Sequence, residues 1–299
     1  MSVIWDCFFR VIFDLRADLA IIMQTMLRNR FLFIIALTTA SLNGGVVFQT
    51  TTRSRGVSVR KDVVFTPVGW PARLVADFHI PSAKAPTPAV LLIHGGGWNK
   101  KERRSDMLDI AHALSKHGYF VMNTTYRLTP NWKFPAQTDD LKQALRYMRD
   151  NHVDLNIDTS RIATFGYSAG GHLAALIGLD PQNGVKAIVA GGAPADLSFW
   201  PDGKLTGLLL GGPLKGREAL YRTASPISHV TKNSPPVFIY HGTADDLVPI
   251  EHPKAFIAAL QAKGVPHETY WIEGRSHIFA HLFSAAAIPK AINFLDKNL

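Results

Sequence analysis

Cysteine is almost absent from this sequence, since Cys7 is the only one among 299 residues. A single thiol cannot form a disulfide framework within one chain. It also cannot supply the several thiolates of a structural zinc site. The shortage leaves the cellular compartment open, because proteins without disulfides work both inside and outside the cell.

Charged side chains are scarce as well. They make up 18% of the residues, against 47% hydrophobic ones, so the chain can bury a sizeable core and is not expected to be disordered. The formal net charge is +9, but the basic residues are scattered. The one dense run, residues 100–104, is too short to follow a polyanion and is typical of a solvated loop. The sequence therefore predicts no nucleic-acid partner.

The N-terminal 60 residues contain an apolar stretch that is too short to cross a bilayer, which takes about 20 residues. The stretch runs from Phe31 to Leu42, follows Arg28 and Arg30, and precedes small and polar residues. This order is typical of a secretory signal. We therefore expect residues 1–45 to be a signal or membrane-interacting segment, and the protein to be exported to the periplasm or secreted.

The residues before this stretch do not fit a simple signal. Residues 1–25 carry five charges among apolar side chains: Asp6, Arg10, Asp14, Arg16 and Asp18. Either translation begins at Met23 or Met26, or these residues form an amphipathic helix at a membrane surface. An uncleaved N-terminal anchor is the alternative to export, and it would then be the predicted membrane contact.

From residue 61 onward, short apolar runs alternate with segments of helical periodicity. The runs typical of strands are 63–66, 73–80, 89–93, 120–125, 162–167, 187–191, 237–240 and 269–272. The helical segments are 105–116, 139–150, 172–179, 251–263 and 285–295. This alternation predicts an α/β fold with a mostly parallel central sheet and helices on both faces. The first two runs have no helix between them and predict an antiparallel start to the sheet.

Residues 195–234 break this alternation and predict a small insert over the sheet edge where ligands bind in open α/β folds. Within the insert, an apolar set could wall one side of a pocket: Trp200, Leu205, Leu208, Leu209 and Leu210. Gly203, Gly207, Gly211 and Gly212 in the same stretch favour a mobile loop over a rigid cap. An open, shallow site for small acyl groups is the expectation. Alternatively, the leucines simply pack on the sheet edge.

One serine stands between glycines in the segment Gly166-Tyr167-Ser168-Ala169-Gly170. The segment fits G-x-S-x-G, the nucleophile elbow, in which a serine sits on a strained turn between a strand and a helix. Bulky residues two positions before and after the serine would collide with the strand and the helix. The N-terminus of the following helix would also offer N–H groups to an anion. Ser168 is therefore the candidate nucleophile.

A second glycine cluster, His94-Gly95-Gly96-Gly97-Trp98, ends an earlier buried strand. Glycines allow backbone N–H groups to approach a substrate oxygen without interference from a Cβ atom. The N–H groups of Gly96, Gly97 and Ala169 are the candidate oxyanion hole, where each donor contributes about 3–4 kcal/mol to catalysis. The alternatives are a tight structural turn or a phosphate loop, but the P-loop and G-x-G-x-x-G spacings are not met.

A serine nucleophile needs a base, and the base needs a carboxylate that orients it. His277 follows the last predicted strand and Asp245 follows the one before, which gives the chain order serine, aspartate, histidine. His281 is the alternative base and Asp246 the alternative acid. Three further histidines adjoin the motifs and are expected to be hydrogen-bonding supports: His94, His172 and His241.

Together these blocks resemble the α/β-hydrolase esterases of the acetyl-esterase and feruloyl-esterase type, in the hormone-sensitive-lipase-like branch. The resemblance is carried by "HGGGW", "GYSAGG", "HGTADDLVP" and "GRSHIF", and by "YRLTP" with Asp139 and Asp140. It covers about residues 60–299, the expected catalytic domain. It implies hydrolysis of esters with small acyl groups, carried on small molecules or carbohydrates, without a cofactor or metal.

Two other functions stay open. The tryptophan after the glycines is similar to kynurenine-formamidase-like members of the fold, so an arylformamidase or amidase could use the same three residues. A non-catalytic binding protein with this fold is the other alternative, although a full set of nucleophile, acid, base and glycine loop argues against it. The physiological ester and the oligomeric state are not predicted.

Overall fold

The computed structural model describes residues 35–36, 51–54, 56–99 and 101–299. Apart from Ile35 and Ala36, the expected N-terminal segment lies outside the described residues. Within the range 36–299, the described residues belong to one compact unit. Within the described residues, no helix combines the length and the apolar character that a membrane crossing requires.

Ten strands, nine helices and five short 3-10 turns are present in the described residues. The strands are β1 Ile35–Ala36, β2 Thr51–Ser54, β3 Val57–Val64, β4 Val75–Pro81, β5 Thr87–Ile93, β6 Phe120–Thr124, β7 Ile157–Tyr167, β8 Ala187–Gly191, β9 Val237–Gly242 and β10 His267–Ile272. The helices are α1 Leu108–Lys116, α2 Ala136–Asp150, α3 His152–Leu155, α4 Ala169–Leu179, α5 Lys204–Leu210, α6 Glu218–Thr223, α7 Glu251–Ala262, α8 His277–Leu282 and α9 Ala287–Asn298. The 3-10 turns are Arg104–Met107, Pro181–Asn183, Leu197–Phe199, Pro226–His229 and Ser284–Ala286.

The sheet is mostly parallel with an antiparallel start, as the sequence predicts. From β2 to β10 the strand order is β2-β3-β4-β6-β5-β7-β8-β9-β10. The pairs β2–β3, β3–β4 and β4–β6 are antiparallel, and every later pair is parallel. The carboxyl ends of β5, β7, β8, β9 and β10 therefore meet at one edge, where loops from distant parts of the sequence come together.

Both faces of the sheet are covered. In β5, Leu91 and Ile93 belong to one hydrophobic core, and Val90 and Leu92 to the other. Successive side chains of a strand point to opposite faces, so a strand buried on both faces is apolar throughout. Helices α2, α4 and α7 pack on the first face, and α1 and α9 on the second. The predicted helices on both faces are confirmed.

The eight predicted strands and five predicted helices all form, with shifted ends. The helix predicted from residue 105 begins as the 3-10 turn Arg104–Met107 and becomes α-helical at Leu108. Helix α4 begins at Ala169, three residues before the predicted start, because the elbow glycines belong to its first turn. The apolar pattern alone does not reveal these ends, which depend on the neighbouring turn.

The insert, whose glycines predict a mobile loop, contains two short helices, α5 and α6. Helix α5 begins after Gly203 and ends at Gly211, whose φ of 80° is the left-handed conformation that commonly ends a helix. Leu209 and Leu210 are buried in the main core, so part of the leucine set packs on the sheet. Gly203 and Gly211 thus stand at the two ends of α5 as its N-cap and C-cap residues.

Candidate active site

Ser168 lies at the sharp turn between β7 and α4. Its φ of 57° and ψ of −126° are unusual for a residue with a side chain and indicate a strained backbone. Two hydrogen bonds hold the turn: the Ser168 N–H donates to the Gly191 carbonyl oxygen at 2.8 Å, and the His172 N–H donates to the Ser168 carbonyl oxygen at 3.0 Å. The turn presents the hydroxyl at the carboxyl edge of the sheet.

The glycines around Ser168 are required by the backbone that approaches them. A Cβ atom on Gly166 would collide with the Gly170 carbonyl group, and one on Gly170 would collide with the Ile93 carbonyl oxygen. A Cβ on Gly171 would lie 2.7 Å from the Gly191 carbonyl oxygen. Because these neighbours are backbone atoms, they cannot move aside as a flexible side chain could.

Ser168, His277 and Asp245 form a chain of hydrogen bonds. The Ser168 hydroxyl donates to His277 Nε2 at 2.8 Å, and His277 Nδ1 donates to Asp245 Oδ2 at 2.7 Å. His277 is the first residue of α8, just after β10, and Asp245 follows β9. Both side chains are buried. Asp245 and His277 follow Ser168 by 77 and 109 positions in the chain, and the three residues meet at one edge of the sheet.

The carboxylate of Asp245 is held in one orientation. Its Oδ1 accepts hydrogen bonds from the N–H groups of Leu247 at 3.1 Å and Val248 at 2.7 Å. His241 Nε2 lies 3.3 Å from Oδ2 and donates to the Val248 carbonyl oxygen at 2.8 Å. Burial lowers the pKa of His241, which favours its neutral form. Asp246, the alternative acid, is exposed to solvent.

His281, the alternative base, is engaged elsewhere. Its Nε2 donates to the Asp106 carbonyl oxygen at 3.1 Å. Its ring stacks on Tyr167, with ring centroids 4.6 Å apart, and burial lowers its pKa. His281 lines the same cavity as Ser168, one helical turn beyond His277, but its ring supports the neighbouring loop.

Sequence reasoning missed the contact made by Tyr167. The Tyr167 hydroxyl donates to the carbonyl oxygen of His277 at 2.6 Å, and both groups are buried. Burial raises the pKa of Tyr167, so the phenol keeps its proton and remains a donor. The x position of G-x-S-x-G gives no signal for this contact, because the partner is 110 residues away.

The glycine loop after β5 approaches the serine. Gly96 and Gly97 have φ values of 103° and 61°, in the left-handed region that favours glycine. The side chains of Arg103 and Leu205 lie 2.9 Å from the positions of the missing Cβ atoms on Gly96 and Gly97. Among the described residues, the N–H groups of Gly96, Gly97 and Ala169 have no acceptor. The loop and the helix N-terminus therefore keep three donors beside the hydroxyl.

The other two motif histidines support this loop. His94 Nδ1 donates to the Gly95 carbonyl oxygen at 2.7 Å, and its ring stacks on Tyr126 at 4.5 Å. His172 accepts from Trp98 Nε1 at 3.3 Å and donates to the Ala224 carbonyl oxygen at 2.7 Å. Burial lowers the pKa of His172 to about 4, so it stays neutral and can accept and donate at once.

The "YRLTP" block anchors the segment between β6 and α2. The Arg127 guanidinium donates to both carboxylate oxygens of Asp140 at 2.8 and 2.9 Å, and the pair is buried. Trp70 Nε1 donates to the same carboxylate at 2.8 Å. The Arg127 guanidinium also lies 4.9 Å from the ring centre of Trp132. These contacts are structural and bring no further reactive group to Ser168.

A cavity of about 730 Å³ opens beside Ser168 and His277. Its apolar walls include Trp98, Trp200, Leu205, Leu247, Val248, Ile278 and Leu282. Trp200 and Leu205 come from the predicted insert. The contributions of Leu247, Ile278 and Leu282 were not predicted. Ile278 and Leu282 lie on a short helix after the last strand, whose sequence gives no signal of which side faces a pocket. Leu247 lies in the loop after β9.

Three comparisons place the chain among known proteins. The family model BD-FAE matches residues 76–260. Esterase LipC of Mycobacterium tuberculosis is 29% identical over 230 residues, which are 69% of this chain and 56% of LipC. The chain thus spans about half the length of the curated relatives it matches first.

Solved structures share the fold. The truncated form of a carbohydrate esterase from gut microbiota has a TM-score of 0.74 at 23% identity, covering 80% of this chain and 95% of that one. A thermophilic esterase from Thermogutta terrifontis, solved with propionate bound, has a TM-score of 0.68 at 26% identity, covering 81% and 94%. The architecture is the α/β-hydrolase fold, and the chain belongs to the BD-FAE family.

Proposed function

We propose that this protein is a carboxylic ester hydrolase with Ser168 as nucleophile, His277 as base and Asp245 as the acid that orients the base. The observation that carries the proposal is the continuous chain of hydrogen bonds from Ser168 through His277 to Asp245. The family match and the names of the relatives, which are esterases, support the same chemistry.

In the first half of the reaction, His277 Nε2 takes the Ser168 proton while Oγ attacks the ester carbonyl carbon. The Asp245 carboxylate accepts a hydrogen bond from Nδ1–H of the imidazolium that forms and stabilises its charge. The N–H groups of Gly96, Gly97 and Ala169 donate to the oxyanion of the tetrahedral intermediate. His277 then protonates the leaving alcohol, and the acyl group stays on Ser168.

The second half repeats these steps with water as the nucleophile. His277 takes a proton from the water, which attacks the acyl carbonyl, and the same N–H groups stabilise the second oxyanion. His277 returns the proton to Ser168 Oγ, and the carboxylic acid leaves. In each half His277 acts first as a base and then as an acid, and no cofactor takes part in these steps.

We further propose that small acyl groups are preferred. Leu205 packs against Gly97, one of the residues whose N–H groups would bind the carbonyl oxygen, and Trp200 lines the same cavity. These side chains limit the room near the reacting carbon. Rates on p-nitrophenyl esters from C2 to C12 test this: kcat/KM should peak between C2 and C4, and a peak at C8 or above would contradict it.

The primary test combines a substrate with a covalent probe. The protein should hydrolyse p-nitrophenyl acetate, and Ser168→Ala should lose on the order of 10⁴–10⁶ in rate while keeping its circular dichroism spectrum. A serine-directed phosphonate should label Ser168. If no adduct forms, the non-catalytic alternative is favoured. Adding N-formylkynurenine to the substrate panel separates an esterase from an arylformamidase.

We propose that residues 1–45 direct export of the catalytic domain, residues 60–299. N-terminal sequencing of the mature protein checks this, and cleavage between about residues 38 and 45 is expected from the signal pattern. An intact N-terminus in the membrane fraction would identify an anchor. An intact N-terminus in the cytosol would contradict both.

A further inference from the structure

Exposed apolar side chains surround the mouth of the cavity beside Ser168. Of the ten large hydrophobic side chains that are exposed in the described residues, seven lie in three segments that line or adjoin this cavity. They are Phe199, Leu205, Leu247, Ile278, Phe279, Leu282 and Phe283, which we call the rim patch. Apolar patches on one face of a soluble protein mark contact with another molecule or a membrane.

Helix α8 and the residue that follows it, Phe283, supply four of the seven side chains of the rim patch. The inner side of α8 buries His277 and Ala280, while Ile278, Phe279 and Leu282 are 50–66% exposed. A surface helix normally carries polar side chains on its solvent side. The rings of Phe279 and Phe283 stack at 5.9 Å, so they support each other and still face water.

The rim patch continues into the cavity. Leu247, Ile278 and Leu282 belong both to the exposed surface and to the cavity wall that contains Ser168. Leu282 also borders a second cavity of about 480 Å³ next to α1 and α9. An apolar molecule that rests on the rim patch therefore adjoins the reactive hydroxyl.

Exposed charges of both signs lie close in sequence to the rim patch and the cavity wall. The basic ones are Lys101, Lys204 and Arg275, and the acidic ones are Asp202, Asp246 and Glu273, together with Glu102, which is paired with Arg104 at 2.9 Å. Arg103 and Asp106 form an ion pair at 3.0 Å. Local neutrality favours an electrically neutral occupant over an anionic membrane, which would require a basic surface. A second copy of this chain would cover the mouth and exclude substrate, whereas a surface that carries the substrate would deliver it.

We propose that the rim patch docks the protein on a neutral lipid–water surface that carries its ester substrate. The proposal rests on the ester hydrolase function proposed above and adds a substrate class: a small acyl group that enters the cavity, on an amphiphilic alcohol whose apolar part stays against the patch.

Binding to phosphatidylcholine vesicles tests the docking without depending on catalysis. Three full-length proteins are compared by co-sedimentation: wild type, Phe279→Ser/Phe283→Ser, and the control Val68→Ser/Val153→Ser, whose side chains are exposed away from the cavity. Any contribution of residues 1–45 is common to all three. The rim variant should partition at least tenfold less than wild type, and the control should match wild type.

Equal partitioning of the three proteins would overturn the proposal, and so would binding that requires phosphatidylglycerol. Loss of a dimer in the rim variant, seen by analytical ultracentrifugation, would also overturn it and make the patch a subunit interface. If the double variant unfolds, Phe279→Ser alone replaces it. All three proteins should hydrolyse dissolved p-nitrophenyl acetate at the same rate. If none of them hydrolyses it, the proposed ester hydrolase function is wrong, and this outcome is independent of the vesicle binding result.

Discussion

The Tyr167 hydroxyl donates to the carbonyl oxygen of His277, which is the first residue of α8 and the proposed base. Tyr167→Phe keeps the ring that stacks on His281 but leaves that buried carbonyl without its donor. We expect kcat on p-nitrophenyl acetate to fall about tenfold with KM unchanged, because a looser base raises the barrier by about 1.4 kcal/mol. Steady-state kinetics measures both constants.

Tyr240→Phe is the matched control for this change. Tyr240 is buried on the neighbouring strand β9, with its ring 5.7 Å from that of Tyr167, and its hydroxyl has no partner among the described residues. Removing an unpaired buried hydroxyl should leave kcat unchanged and slightly raise stability. An equal loss of kcat in both variants would mean that Tyr167 acts through packing alone.

The two histidines of α8 should differ sharply when each is replaced by glutamine. His277→Gln removes the group placed to accept the Ser168 proton, and we expect a loss of at least 10³-fold in kcat. His281→Gln removes a hydrogen bond to the Asp106 carbonyl worth about 1 kcal/mol, and activity should change less than tenfold. The reverse ranking would assign the base to His281.

At the scale of elements, α5 contributes Leu205 to the wall of the cavity. Leu205→Ala removes the side chain that packs on Gly97 while leaving the core leucines of the same helix in place. We expect the optimum on p-nitrophenyl esters to move from C2–C4 toward C6–C8, since each additional buried CH₂ contributes about 0.8 kcal/mol. Leu208→Ala, on the same helix but outside the cavity wall, should keep the original profile.

The central strands were predictable from sequence because one rule, burial on both faces of the sheet, determines their composition. The runs around Leu91 and Ile188 are apolar throughout because both faces of the sheet are covered, and this makes their parallel pairing readable from sequence. The positions of Ser168, Asp245 and His277 followed from the same rule, since residues after parallel strands share one edge. Their catalytic roles remain proposals.

Other features depend on contacts that the sequence does not encode locally. Gly203 and Gly211 could belong to a loop or cap a helix, and the outcome depends on the burial of Leu209 and Leu210 against the sheet. The exposed side of α8 likewise has an apolar composition that predicts burial. Only the assembled fold shows that Phe279 faces solvent.

At the scale of the whole molecule, buried neutral histidines make stability depend on pH. His79, His172 and His252 each have a pKa lowered to about 4, with burial as the largest cause. In the unfolded chain the value is about 6.5, so between these values the unfolded state binds more protons. The contribution of these histidines to the free energy of unfolding is therefore present above about pH 6.5 and is lost as the pH falls toward 4. Each fully buried histidine contributes up to about 3 kcal/mol to this loss.

His79 offers the cleanest test of this linkage, because neither ring nitrogen has a partner among the described residues. Burial lowers its pKa most, and the neighbouring His112 and Lys61 lower it further. His79→Phe fills the same space without a titrating group and costs no hydrogen bond. Urea unfolding at pH values from 7 to 4.5 should show a weaker pH dependence than wild type, by up to about 1.4 kcal/mol per pH unit, the slope for one proton. An unchanged slope would mean that His79 has the same pKa in the folded and the unfolded protein.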